Sequence, residues 1–252
     1  MCTLAVYRGV SPRYPLLVAA NRDEFLGRAS APPQAFGEAP GVFAGRDLVA
    51  GGTWLGARID GSGRIAGLLN RRPAPDRAAS GPGERSRGLL CLEALGAGSL
   101  DEVVASLDTD QASRYGGFNL FLAEPGRGLV LDNGSGLRTT VLEPGLSVLT
   151  NLDVNDPRCP RLAEATALFA SLTPRVAGGE TSDELMPALA AVLGDHGAGQ
   201  DLDAGPFSRV CVHAEGYGTR SSSVVFVDVD GRVQWFHADG PPCETGFHRI
   251  FP

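Results

Sequence analysis

Met1-Cys2-Thr3-Leu4-Ala5-Val6 places a cysteine directly behind the initiator methionine, at the head of an apolar run that reads as a buried strand. Removal of Met1 would make Cys2 the amino-terminal residue. Its α-amine, with a reference pKa of about 7.7–8.0, could then take the thiol proton directly or through a water. One residue would supply both nucleophile and base. The purely structural reading is a small apolar side chain in a core strand, so the rest of the chain has to decide between the two.

Outward from this start, short runs rich in Val, Leu and Phe recur between Gly, Asp and Pro. They predict strands at 2–7, 16–20, 53–59, 64–69, 118–123, 128–132, 147–150, 210–213, 222–228 and 233–236. Asp60-Gly61, Pro125-Gly126 and Asp230-Gly231 are hairpin signals. Helical patterns cover 84–97, 100–107, 158–172 and 182–193, with Ser99/Glu102 and Thr181/Glu184 spaced as capping boxes. Strands, helix pair, strands, helix pair, strands is the order of an α+β fold. It predicts a four-layer αββα sandwich of two antiparallel sheets, helices outside. The expectation is a single domain over 1–252, with Pro73–Gly83 as a surface loop and a split near Gly178 as the lesser alternative.

Composition removes several function classes. With 252 residues, 43 % of them hydrophobic, a sizeable core can be buried. All 22 basic residues are arginine and the net charge is −7, a poor match to nucleic acid or an anionic membrane. The lack of lysine excludes a lysine Schiff base. Five widely spaced cysteines (Cys2, Cys91, Cys159, Cys211, Cys243) suggest neither a disulfide framework nor a paired-cysteine metal site. No run approaches the ~20 apolar residues of a membrane span, and no signal peptide is evident. The expectation is a cytoplasmic protein with no membrane span and no metal. HExxH and phosphate-loop motifs are absent, and the four histidines lie far apart in sequence. His213, after Val210-Cys211-Val212, reads as a satisfied core histidine beside a buried cysteine.

Acyl transfer by a thiol needs a group that holds the base and donors aimed at the developing oxyanion. Polar residues at strand ends are candidates. The run 16–20 enters Asn21-Arg22-Asp23-Glu24, where a half-buried strand should turn; Asp23 could hold the terminal amine. Asn70 and Asn151 each end an apolar run and could donate to an oxyanion. Arg220, in Tyr217-Gly218-Thr219-Arg220, stands before the strand at 222–228 and could hold a thiolate or a carboxylate. Gly51-Gly52-Thr53-Trp54-Leu55-Gly56 suggests close backbone approach with Trp54 as a wall. Asn21, Arg22 and Trp54 are the candidate substrate-binding residues.

Leu17-Val18-Ala19-Ala20-Asn21-Arg22-Asp23-Glu24-Phe25 resembles the signature of the NRDE family, named for Asn-Arg-Asp-Glu. The likeness continues through Met1-Cys2, Gly51 to Gly56, Gly117 to Leu120, Val210 to Val212, Tyr217 to Ser221 and Val227 to Gly231. The chain also looks like the N-terminal-nucleophile amidohydrolases of the choloylglycine hydrolase and penicillin V acylase type. That resemblance implies an αββα fold with Cys2, Asp23, Asn70, Asn151 and Arg220 as the catalytic set. One departure stands out: the acylase pattern has an arginine three residues before the aspartate, where this chain has Ala20. Arg22 could replace it only if a bulge redirected its side chain.

Two functions follow. The first is a hydrolase of a small non-peptide amide, needing no cofactor, in which Cys2 attacks, Asp23 orients the amine, Asn70 and Asn151 hold the oxyanion and Arg220 stabilises the site. The second is a non-catalytic carrier. Family members are associated with haem mobilisation and acyl-lipid homeostasis, which implies a hydrophobic ligand, haem included, with Cys159-Pro160 as a weak haem-responsive signal.

Overall fold

The computed structural model describes residues 2–71, 83–197 and 206–251. Met1 and, apart from Gly83, the loop expected at Pro73–Gly83 lie outside the described residues. The chain forms two compact units, one from Met1–Arg28 with Pro144–Pro252 and the other from Ala29–Glu143. Neither boundary falls near Gly178.

In the first unit, β1 (Cys2–Arg8), β2 (Leu16–Phe25), β10 (Gly145–Leu149), β12 (Tyr217–Val227), β13 (Val233–Ala238) and β14 (His248–Phe251) form an antiparallel sheet in the order β10-β1-β2-β12-β13-β14. A two-residue strand, β11 (His213–Ala214), pairs with β12. Side chains alternate between faces. Ala5, Tyr7, Leu17, Ala19, Val224 and Phe226 form one cluster with Phe169, Leu172, Leu185 and Leu189 from α4 (Pro160–Ala177) and α5 (Ser182–Leu193). The opposite face carries Leu4, Val6, Val18, Val225 and Trp235, also buried. Both faces being dry, these strands read as continuous apolar runs, and each fully buried Leu or Phe contributes about 1.5–3 kcal/mol. α5 spans the predicted residues because its start is fixed by a complete capping box between Thr181 and Glu184.

In the second unit, seven strands pair in chain order as an antiparallel meander: β3 (Ser30–Ala35), β4 (Val42–Asp47), β5 (Leu55–Arg58), β6 (Ile65–Asn70), β7 (Phe118–Glu124), β8 (Arg127–Asp132) and β9 (Arg138–Val141). Between β6 and β7 run α1 (Arg87–Gly96), α2 (Leu100–Ser106) and α3 (Thr109–Ser113). Leu90, Leu95 and Val103 of the helices cluster with Ala44, Ala66, Leu120, Leu122 and Leu131 of the sheet. The β7–β8 hairpin closes at Glu124↔Arg127 around Pro125-Gly126, as its dipeptide predicts. At α2 the Ser99 hydroxyl accepts from the Glu102 N–H, but the Glu102 carboxylate takes the N–H of Gly98 instead of completing a box.

The backbone differs from the sequence expectation in instructive places. β2 does not turn at Asn21 but continues to Phe25, because β1 pairs with it as far as Arg22 and β12 as far as Phe25, supplying partners for the backbone polar groups. Residues 210–212 are not a strand; only His213–Ala214 pairs. β5 begins at Leu55 because the Thr53 hydroxyl bonds the Leu55 backbone in a local turn. Gly52 allows the close approach expected of it: a Cβ there would lie 2.2 Å from the Gly88 carbonyl carbon of α1.

Candidate functional site

Cys2 heads β1 and pairs directly with Arg22 of β2, so their side chains leave the same face of the sheet. The thiol lies 4.0 Å from the Asp23 carbonyl oxygen, the long limit for a sulfur donor. Burial raises the thiol pKa above its ordinary value; the Asp23 charge adds to the rise, while Arg22 opposes it. The resting sulfur is therefore protonated.

Arg22 needs no bulge to reach the sulfur's side of the sheet. Cys2 is its cross-strand partner, and its guanidinium is 5 % exposed, 3.9 Å from Glu24 Oε2. The facing argument from sequence set Arg22 against Asp23, whereas the group that matters is Cys2. The register shift falls instead on β12, between Thr219 and Ser221, and Arg220 is the residue it displaces. Arg220 is partly exposed and pairs with Asp239 at 3.2 Å.

Asp23 leaves the opposite, helix-covered face. Its Oδ1 accepts from the Thr219 hydroxyl at 2.8 Å and its Oδ2 from Arg161 Nη1 at 2.6 Å, with side-chain exposures of 0 % for Asp23 and 3 % for Arg161. The Tyr217 hydroxyl donates to the Asp23 carbonyl at 3.0 Å. Burial raises the Asp23 carboxyl above the usual carboxylate range, while Arg161 and the Thr219 hydrogen bond act against that rise. Burial likewise pushes the Tyr217 phenol up. Arg161, in the first turn of α4, had no sequence signal to separate it from the other arginines: its partner lies 138 positions away.

Asn21 is tied into the first unit by its carboxamide. Its amide donates to the carbonyls of Leu193 and Val210 at 2.8 and 2.9 Å, and its oxygen accepts from the Ser222 hydroxyl at 2.7 Å. The side chain is 1 % exposed, with both amide hydrogens and one oxygen lone pair engaged. Asn151 is buried and follows β10. The β1/β10 register, carried two residues beyond Leu4↔Leu149, brings Asn151 level with Cys2. Asn70 and Trp54 belong to the second unit. Asn70 ends β6 opposite Phe118, and the Trp54 ring covers Gly45, where a Cβ would lie 2.5 Å from it.

Cys159 caps α4 and packs against the apolar cluster beneath it, its sulfur accepting from the Thr150 hydroxyl at 3.4 Å. His213 is exposed, not a core histidine; its ring faces the sulfurs of Cys211 and Cys243. Among the described residues no helix is long and apolar enough to cross a membrane.

Comparison with known proteins places this geometry. A Caenorhabditis elegans N-acylethanolamine-hydrolyzing acid amidase ortholog superposes with a TM-score of 0.55 over 92 % of this chain and 93 % of its own, at 14 % sequence identity. The fold is thus of the N-terminal-nucleophile hydrolase type, two antiparallel sheets with helices. A family model described as Transport and Golgi organisation 2 matches residues 1–239. The Transport and Golgi organization protein 2 homologs of Bos taurus and Homo sapiens are 33 % and 31 % identical, each match covering 87 % of this chain and 84 % of the relative. The chain belongs to the Transport and Golgi organisation 2 family.

Proposed function

We propose that this protein is an amidohydrolase whose nucleophile is Cys2, acting on a small non-peptide amide, an N-acylated amine, after loss of Met1. The observation that carries the reading is the buried carboxylate beside the chain start: Asp23, held by Arg161 and Thr219, with the Cys2 thiol at its carbonyl. A free α-amine on Cys2 accepts the thiol proton as sulfur attacks the acyl carbon. The C–N bond then breaks, the amine leaves with that proton, and water hydrolyses the thioester to a carboxylic acid, restoring the thiol. Asp23 steadies the ammonium, Arg22 favours the thiolate, and Asn151 donates to the oxyanion. The N-acyl substrate class draws support from the name of the structural relative.

Intact-mass measurement together with labelling by an electrophilic amide probe tests the proposal. The expected result is a species lacking Met1, labelled once, with Cys2→Ala unlabelled. Equal labelling of the Cys2→Ala variant, or an active species that keeps Met1, would overturn it. The second reading is carriage of an apolar ligand without turnover; the word transport in the relatives' names supports a trafficking role of some kind. It predicts that acyl amides are recovered intact after incubation.

A further inference from the structure

We propose that His196, Cys211, His213 and Cys243 form a structural zinc(II) site. One potential ligand atom from each of these residues lies within 4.8 Å of all the others, although the four come from three separate segments. Cys211 Sγ and Cys243 Sγ are 3.7 Å apart, and His213 Nε2 is 3.7 Å from the first sulfur and 3.2 Å from the second. Zinc bound at ~2.3 Å to sulfur and ~2.0–2.1 Å to nitrogen sets tetrahedral edges of roughly 3.8 Å between two sulfurs and roughly 3.6 Å between sulfur and nitrogen. Three ligands thus already stand near the corners of one tetrahedron. The fourth, His196, is exposed, with its ring centroid 5.1 Å from that of His213 and a ring nitrogen within 4.8 Å of the other three ligand atoms.

Two thiols and two imidazoles are the donor set of closed structural zinc sites, with no position left for a substrate. The scaffold brings the segments together by itself: the Cys211 N–H donates to the Asp195 carbonyl, and a Cβ on Gly194 would lie 3.3 Å from the Cys243 backbone. Sequence spacing hid the set because only Cys211 and His213 are neighbours. The site would clamp the segment that buttresses Asp23. The Val212 N–H donates to Thr219 Oγ1 at 2.9 Å, and that hydroxyl donates to Asp23. The zinc assignment does not depend on the hydrolase reading.

The full chain, purified under reductant without chelator, loaded with zinc(II) and dialysed, should retain one zinc by elemental mass spectrometry. Cobalt(II) in its place should give tetrahedral visible bands and thiolate-to-metal charge transfer. Cys243→Ser and His196→Ala, both at exposed positions, should keep the far-ultraviolet dichroism of the parent and lose the retained metal, whereas Cys159→Ser should lose nothing. Should both ligand variants fail to fold, the parent's cobalt spectrum decides alone. No retained zinc, absence of the charge-transfer band, or a Cys211–Cys243 disulfide persisting under reductant would each overturn the assignment.

Discussion

Arg161→Ala removes the cation from a pair that water cannot reach. The guanidinium and the Asp23 carboxylate are 3 % and 0 % exposed and 2.6 Å apart, so the truncation takes the Arg161 cation from a dry site and leaves the Thr219 hydroxyl bond in place. Breaking such a pair from one side costs about 3–5 kcal/mol. For a chain of this size each kcal/mol lowers the melting temperature by about 2–4 °C, so the loss should be roughly 6–20 °C. Thermal unfolding followed by circular dichroism measures it. A cycle with Asp23→Ala isolates the coupling, because the double variant carries no orphaned charge and should be less damaged than additivity predicts. A single Arg161→Ala variant melting within about 2 °C of the parent would refute the claim that this pair is desolvated and essential to the Asp23 site.

Three further outcomes follow from named contacts. Burial holds His237 down to about 4, with Nδ1 bonded to the Ser223 hydroxyl. The unfolded chain therefore takes up more protons between pH 6.5 and 4, and stability should fall by about 3 kcal/mol as pH drops through that window. A pH series of melting curves should show this acid limb flattened in His237→Gln. Thr181→Ala, which dismantles the capping box of α5, should cost about 1 kcal/mol by urea titration. Gly52→Ala, whose added carbon would strike the α1 backbone at Gly88, should cost about 1–3 kcal/mol and shift amide protection in α1.

Much of the architecture was legible because buried strands and capped helices leave local marks. β7, β8 and β13 coincide with apolar runs, and α5 with its capping box. Edge strands leave none. β9 is exposed at all four residues, and β3 contains Pro32 and Pro33, tolerated only at a sheet margin. The candidate site divides in the same way. Cys2 and Asp23 stood out as polar interruptions of apolar strands. The alternation of β2, however, sends Arg22 and Asp23 to opposite faces, and Arg161 reaches Asp23 only through the docking of α4. Asn21 looked identical in kind to Asp23, and only tertiary contacts show its carboxamide closed off by Leu193, Val210 and Ser222.

The discontinuity of the first unit sets a schedule for synthesis. Residues 29–143 are contiguous and pair strand by strand with their neighbours, so they can complete their sheet as soon as they emerge. β2 must wait for β12, made roughly 200 residues later, a delay on the order of 10–40 s at ribosomal speed. Throughout that interval one edge of β2 lacks its native neighbour. Once β12 and α4 arrive, β2 gains its second neighbour and Asp23 its Arg161 partner, so this corner of the molecule is the last to be assembled.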